Sequence, residues 1–343
     1  MSDAWRDLHR LSTFLRAEES ADRFSGTVVV ERGGETVLSG AYGYGHLGFR
    51  VPNDVDTRLN IASITKMLTA VAVLQLVEQG ELSLDATVED LLPEVGIGSA
   101  ERMTVHHLLS HRSGLGDYWN ERCRQRRSAL RTTEDYLALI EGDEPVFEPG
   151  TSTAYGNAGF VLLGGIIERI SGVDYYEFVR QNVCRRAGMP RAGHLQLDQV
   201  ADFAHGYTHV EWEGPPHPDH RTDNIFQYPV RGSAATAMYA SAPELIAFGL
   251  ALRAHELIGE RYVRSMLRHG DGGAGYGTQV VPYSRGTAVG HGGRAFGAAT
   301  LLLILPEVDA SVCVLANYDR PADRRVFARL DAILAGDVDE AAV

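Results

Sequence analysis

The chain has 343 residues, enough for one large or two interlocked domains whose core needs no metal or disulfide support. Its 44% hydrophobic and 22% charged residues are ordinary for a globular protein, which excludes disorder, collagen-like repeats and low-complexity sequence. A net charge of −13, from 45 acidic against 32 basic residues, argues against a nucleic-acid-binding surface.

The opening segment, MSDAWRDLHRLSTFLRAEES, has neither the apolar core nor the small-residue cleavage site of a signal peptide. No run approaches the roughly 18 apolar residues of a membrane span, so a cytoplasmic protein is expected. Trp5, Leu8, Leu11 and Leu15 are spaced for a helix over 4–22. Thr27 to Val30, a Gly33-Gly34 turn and Thr36 to Leu38 predict a β-hairpin. Ile64, Met67, Leu68, Val71, Leu74 and Val77 form one stripe of a helix over 63–79, with Gly80 as its stop. Further helices are predicted over 104–111, 133–141 and 157–171, with a turn at Glu148-Pro149-Gly150. Arg122, Arg124, Arg126, Arg127 and Arg131 read as a solvated face. Residues 211–220 form a Pro-rich loop, and 241–254 a helix with Pro243 in its first turn. The last third turns to strands at 278–281, 287–289, 300–305 and 311–315, followed by a closing helix over 321–335.

Strands at both ends and helices between them predict an α/β protein of the α+β type. Its antiparallel sheet is built from both chain ends and flanked by helices (1–62 and 230–343), and a mostly helical domain (63–229) is inserted between them. The cysteines, Cys123, Cys184 and Cys313, are far apart, odd in number and without zinc spacing, which fits a reduced compartment.

Among the 32 basic residues Lys66 is the one lysine. Arginine keeps its proton in a protein, whereas lysine releases it when its surroundings lower its pKa, which marks Lys66 for proton chemistry. Ser63 stands three residues earlier, on the same helix face and at the helix start, where N–H groups favour an oxyanion. A serine needs a base to become a nucleophile, and a neutral Lys66 is that base only if burial and neighbours bring its pKa down from about 10.4. Tyr155-Gly156-Asn157 offers a phenol to relay the serine proton and an amide to hold the lysine. Tyr118-Trp119-Asn120 has the same pattern, but Tyr155 opens a helix after a defined turn. Gly290-His291-Gly292-Gly293 follows a short strand, and its glycines allow a substrate backbone to lie along the strand edge.

These three groups together resemble the serine β-lactamase and penicillin-binding-protein superfamily. The likeness is to the branch with class C β-lactamases, D-alanyl-D-alanine carboxypeptidases, D-aminopeptidases and family VIII carboxylesterases. Ser63-Ile64-Thr65-Lys66 matches S-x-x-K, Tyr155-Gly156-Asn157 matches Y-x-N, and His291-Gly292-Gly293 stands where that superfamily has K-T-G. Segments 108–115 and 147–150 look similar too. The resemblance implies an acyl-enzyme on Ser63, general acid and base work shared by Lys66 and Tyr155, and Asn157 orienting Lys66 and the substrate. It implies an oxyanion hole from the N–H groups of Ser63 and Arg294, no cofactor and no metal, and a pocket shaped by loops 115–130 and 207–232. The histidine at 291 is a departure: a neutral imidazole is a weaker carboxylate anchor than lysine, which disfavours β-lactams and favours esters, amides and D-peptides. Arg294 offers a replacement charge, or contributes only its backbone.

Other patterns carry less. G-x-G-x-x-G occurs from Gly43 and Gly270, and loosely from Gly290, without the strand–loop–helix context of nucleotide binding. His205, His209, His217 and His220 lie near Glu211, Glu213, Asp219 and Asp223 without ligand geometry. His107 and His111 lack the glutamate of a zinc motif, and Thr222-Asp223-Asn224 follows Tyr155 instead of preceding it. The expectation is a serine hydrolase cleaving an ester, amide or peptide bond of a small molecule. An acyltransferase using the same acyl-enzyme and a catalytically silent binding or sensor protein on the same scaffold are the alternatives.

Overall fold

The computed structural model describes residues 4–199, 202–212, 215–267 and 274–336. After a 3₁₀ turn at Ala4–Leu8 the chain forms α1 (His9–Ser20), β1 (Gly26–Arg32) and β2 (Glu35–Tyr42). Gly33 and Gly34 join the two strands with φ of 59° and 88°, the left-handed pair that a tight two-residue hairpin requires. Then come α2 (Thr65–Glu78), α3 (Val105–Leu109), α4 (Thr133–Ile140), α5 (Ala158–Ser171), α6 (Ala242–Arg253) and α7 (Glu260–Leu267). Capping boxes start three of them: Thr104 with His107 on α3, Thr132 with Asp135 on α4, and Ser241 with Glu244 on α6. The chain ends in β3 (Ala274–Gly275), β4 (Thr278–Tyr283), β5 (Gly286–Ala295), β6 (Ala298–Leu305), β7 (Ala310–Ala316) and α8 (Ala322–Ala335).

The strands form one seven-stranded antiparallel sheet in the order β2-β1-β7-β6-β5-β4-β3. The first strand therefore pairs with the last, Val28 opposite Val314, and the sheet is built from both chain ends as expected. Helices cover both faces. Val28, Val30, Leu303 and Val312 pack into one apolar cluster with Leu11 and Leu15 of α1 and Val326 and Leu330 of α8. Val29, Leu302, Cys313 and Leu315 point the other way, into the larger cluster around α2. Burial on both faces explains why these strands read as unbroken apolar runs and not as alternating ones.

Two sequence expectations change. The stripe drawn on 63–79 is too narrow: α2 buries all 12 residues from Thr65 to Leu76, because it runs through the middle of the larger cluster. The short strand at 287–289 extends to Ala295, so His291-Gly292-Gly293 lies within β5 and not after it. Pairing with β6, His291 opposite Leu302, holds these glycines extended despite their weak strand preference. The Glu213 expectation and most of the motif from Gly270 fall outside the described residues.

Candidate active site

Ser63 sits in a 3₁₀ turn, Ala62–Ile64, that leads directly into α2, and Lys66 follows in the first turn of that helix. The turn is held from two sides. Ala62 adopts φ 46°, a left-handed conformation uncommon for a residue with a side chain. Thr300 of β6 donates its hydroxyl to the Ile61 carbonyl at 3.0 Å. Strand β5 lies against the same turn at Gly293, where a Cβ would stand 2.4 Å from Thr300 Oγ1 and 2.6 Å from the Ala62 Cβ. The pairing of β4 with β5 reaches only Gly290, so from His291 to Ala295 β5 pairs with β6 alone among the described residues. The other edge of that stretch is therefore unpaired among the described residues.

Lys66 is fully buried. Its Nζ lies 3.2 Å from Ser63 Oγ, 2.5 Å from Asn157 Oδ1 and 2.8 Å from the Ala235 carbonyl. Burial lowers its pKa from 10.5 to about 7, against the opposing field of the Asp117 carboxylate. In the neutral amine two N–H groups suffice for Asn157 and Ala235, and the lone pair is left for the Ser63 hydroxyl proton. Tyr155 donates its hydroxyl to Ser63 Oγ at 2.9 Å. Burial of that hydroxyl raises its pKa to about 12, so it is a phenol at neutral pH. Its ring packs 4.5 Å from the His111 ring and 5.9 Å from that of His291. The competing tyrosine, Tyr118, is fully buried elsewhere and bonds Ser233 Oγ at 2.7 Å.

Asn157 is shared between two partners: its carbonyl takes the Lys66 proton contact, and its Nδ2 donates to Asp117 Oδ2 at 2.8 Å. This bridge depends on Gly156, because the Leu115 and Gly116 carbonyls lie 2.6 and 2.5 Å from where its Cβ would be. Asp117 is a site residue that sequence reasoning missed. Its loop falls within 115–130, but nothing in the residue type or spacing singled it out.

His291 is buried, its Nδ1 2.6 Å from the Gly292 carbonyl. Burial and then the nearby Lys66 charge lower its pKa to about 3, so it brings no positive charge to the site. His111, also buried, is lowered to about 3 for the same two reasons. Arg294 is exposed and lines the cavity. A second arginine not foreseen, Arg320, reaches the same cavity with a guanidinium nitrogen 3.2 Å from where a Gly292 Cβ would stand. The cavity holds about 470 Å³ and exposes Ser63, Asp117, Asn157, Arg294 and Arg320. Its aromatic lining is Trp119 and Phe296, and Trp212 packs against both from outside the cavity, 5.2 Å from the Trp119 ring and 5.4 Å from that of Phe296. Val210 lines the cavity from loop 207–232 and Trp119 from loop 115–130, so both loops expected to shape the pocket contribute to it.

The set-aside histidines are structural. His205 bonds Asp223 at 2.7 Å, and His209 Nδ1 lies 2.7 and 2.9 Å from the His217 and His220 carbonyls. Among the described residues no group of three His, Cys, Asp or Glu is arranged for a metal ion. Asn224 bonds the Phe296 carbonyl and the Gly206 N–H, away from Ser63. No described helix is long and apolar enough to cross a membrane.

The beta-lactamase family profile matches residues 13–336. Penicillin-binding protein 4* of Bacillus subtilis is 26% identical over 338 residues, 91% of this chain and 72% of that protein. Esterase EstB of Burkholderia gladioli is 32% identical over 233 residues, 62% of this chain and 56% of its own. Among solved structures, a penicillin-binding protein from Bacillus halodurans superposes with a TM-score of 0.83 at 32% identity, covering 93% of this chain and 98% of that one.

Proposed function

The chain belongs to the beta-lactamase family, and on that premise we propose that it hydrolyses an ester or amide bond of a small molecule through an acyl-enzyme on Ser63. One observation carries the reading: Ser63 Oγ lies within hydrogen-bond reach of both a buried lysine with a pKa near 7 and a protonated tyrosine. Neutral Lys66 takes the Ser63 proton as Oγ attacks the carbonyl carbon. Charge developing on the carbonyl oxygen falls to the N–H groups of Ser63 and Arg294, and one such donor is worth about 10²–10³ in rate. Tyr155 protonates the leaving group, and its phenolate is restored by the proton held on Lys66. Water then attacks the acyl carbonyl, gives a proton to the same base, and Ser63 Oγ departs with one returned. Asn157 holds Lys66 with its lone pair directed at Ser63. With His291 neutral, the cations that line the cavity are Arg294 and Arg320, the second of which also pairs with Asp323 at 3.4 Å.

The test is intact-protein mass after treatment with a fluorophosphonate, beside Ser63→Ala. A single adduct on the native chain and none on the variant is expected. A native chain that is folded and unlabelled removes the acyl-enzyme reading and leaves a binding protein on this scaffold.

A further inference from the structure

One carboxylate in the cavity wall takes no part in the proton chemistry and holds two segments that line the cavity. Asp319 stands just past β7 and is itself a lining residue. Its Oδ2 accepts from the His209 N–H and its Oδ1 from the Gly297 N–H, each at 2.8 Å. Val210 follows His209, Phe296 precedes Gly297 in the turn from β5 to β6, and both line the cavity. Two N–H donors thus meet two acceptor oxygens. An amide of the same shape could not do this, because it would turn an NH2 donor on one of the two N–H groups.

The two segments depend on Asp319 to different degrees. The Phe296 turn has further ties, since its carbonyl accepts from Asn224 Nδ2 at 2.7 Å and from the Tyr228 hydroxyl at 3.0 Å. The other segment is anchored at Tyr207, whose N–H bonds the Asn317 carbonyl at 2.8 Å. Beyond it, Thr208 to Val210 bond to one another and to residues 217–222 of the same loop. Among the described residues the bond to Asp319 is therefore the hydrogen bond that ties this stretch to the end of β7. Val210 keeps 39% of its surface exposed, and Phe296 meets the Trp119 ring at 6.2 Å. These three apolar side chains share the cavity with Ser63. Covering them with an apolar group of the substrate releases binding energy, and how much depends on the spacing of Val210 and Phe296.

We infer that Asp319 is a positioning residue that sets substrate selectivity. By fixing the spacing of Val210 and Phe296 it shapes an apolar subsite for an alkyl or aryl group of the substrate, on whichever side of the scissile bond that group lies. This rests on the Ser63 acyl-enzyme reading.

The test compares the rates at which two neutral fluorophosphonates label Ser63, the two differing only in an ethyl against a hexyl chain. In the native protein the hexyl probe should label at least about tenfold faster, since even one methylene in an apolar site is worth that much. In Asp319→Asn the ratio should fall towards one, the hexyl probe losing more than the ethyl probe. Both probes are uncharged, so loss of the carboxylate charge does not by itself move the ratio. Asp319→Ala, which presents no donor to either N–H, is the second variant and should do the same. Phe296→Ala should also lower the ratio, because it removes part of the wall and leaves both bonds to Asp319 in place. Equal labelling by the two probes in the native protein overturns the apolar subsite, and so does a native ratio in Phe296→Ala. A native ratio in the Asp319 variants overturns the role of Asp319 even where both probes slow, since a residue that only supports the fold slows them alike. A native chain that neither probe labels fails the underlying reading instead, so the two failures are distinguishable.

Discussion

Gly293 of β5 lies so close to Ala62 that a Cβ on it would stand 2.6 Å from the Ala62 Cβ. The strand that would receive the substrate and the turn that presents Ser63 thus meet with no side chain between them. Gly293→Ala must push the turn away from β5 by about 1 Å to restore ordinary contact, which misplaces Ser63 Oγ against Lys66 and Tyr155. A fall of about a hundredfold in kcat/KM is expected, since a misplacement near 1 Å has that effect. Fluorophosphonate labelling rates measure it. A variant that labels at the native rate would show that the turn is not set by this contact.

The pH dependence follows from Lys66. Its pKa near 7 makes the base form appear as pH rises, so kcat/KM should climb through about pH 7 and then level off. Neither nearby imidazole explains such a limb, since His291 and His111 are both held near 3. Asp117 raises the Lys66 pKa, so Asp117→Asn should move the limb to lower pH. The same ionisation bears on stability. Between about 7 and 10.5 the unfolded chain holds a proton on Lys66 that the folded chain lacks, so this residue's contribution to stability improves as pH rises through that window. Lys66→Met should abolish acylation while leaving the fold intact, because it removes a buried ionisable group and keeps the volume. A profile still rising near pH 7 in His291→Asn is the control that assigns the limb.

The sheet was legible because burial on both faces writes itself as continuous apolar runs, as in Val28 to Val30 and Thr300 to Leu305. The helices were legible from apolar spacing, as over 63–79, and from the residues that start or stop them, as Pro243 and Gly80 do. The catalytic centre was legible through the lone Lys66 and its spacing from Ser63, and Tyr155 through its place after a defined turn. Asp117 and Arg320 were not legible. Their importance comes from a backbone crossing, Gly156 against Leu115 and Gly116, and from the Arg320 side chain reaching Gly292, and a contact between segments far apart in the chain leaves no local pattern. The length of β5 was misjudged for a related reason: its glycines look like a turn until β6 pairs with them.

The two chain ends are also tied by a charge. Glu18 of α1 is buried and accepts from Arg23 at 2.7 and 3.0 Å and from Arg325 of α8 at 2.6 and 2.7 Å. Burial would raise its pKa, but the two guanidiniums outweigh it and the net shift is downward. Glu18→Gln should cost about 1.5–3 kcal/mol, the range for hydrogen bonds to a charged group, read from the urea midpoint at pH 7. A lowered folded pKa contributes stability above the unfolded value of about 4.5 and loses it as pH falls through the folded one. The native and variant midpoints should therefore converge in acid. Midpoints that coincide at pH 7 would show that α1 and α8 hold together by apolar packing alone.

Tyr155→Phe separates the two proton tasks at Ser63. The variant loses the hydroxyl 2.9 Å from Ser63 Oγ and keeps the ring against His111, so folding should be unaffected. Lys66 still takes the serine proton, but nothing protonates the departing group. An alkyl ester or amide needs that proton and should slow by about 10²–10⁴, the usual worth of a general acid. A p-nitrophenyl ester leaves as a stable anion and needs none, so it should slow by much less. The ratio of the two kcat/KM values, native against variant, is the measurement. Equal losses on both substrates would mean that Tyr155 acts on Ser63 and not on the leaving group, and would move the general acid to Lys66 itself.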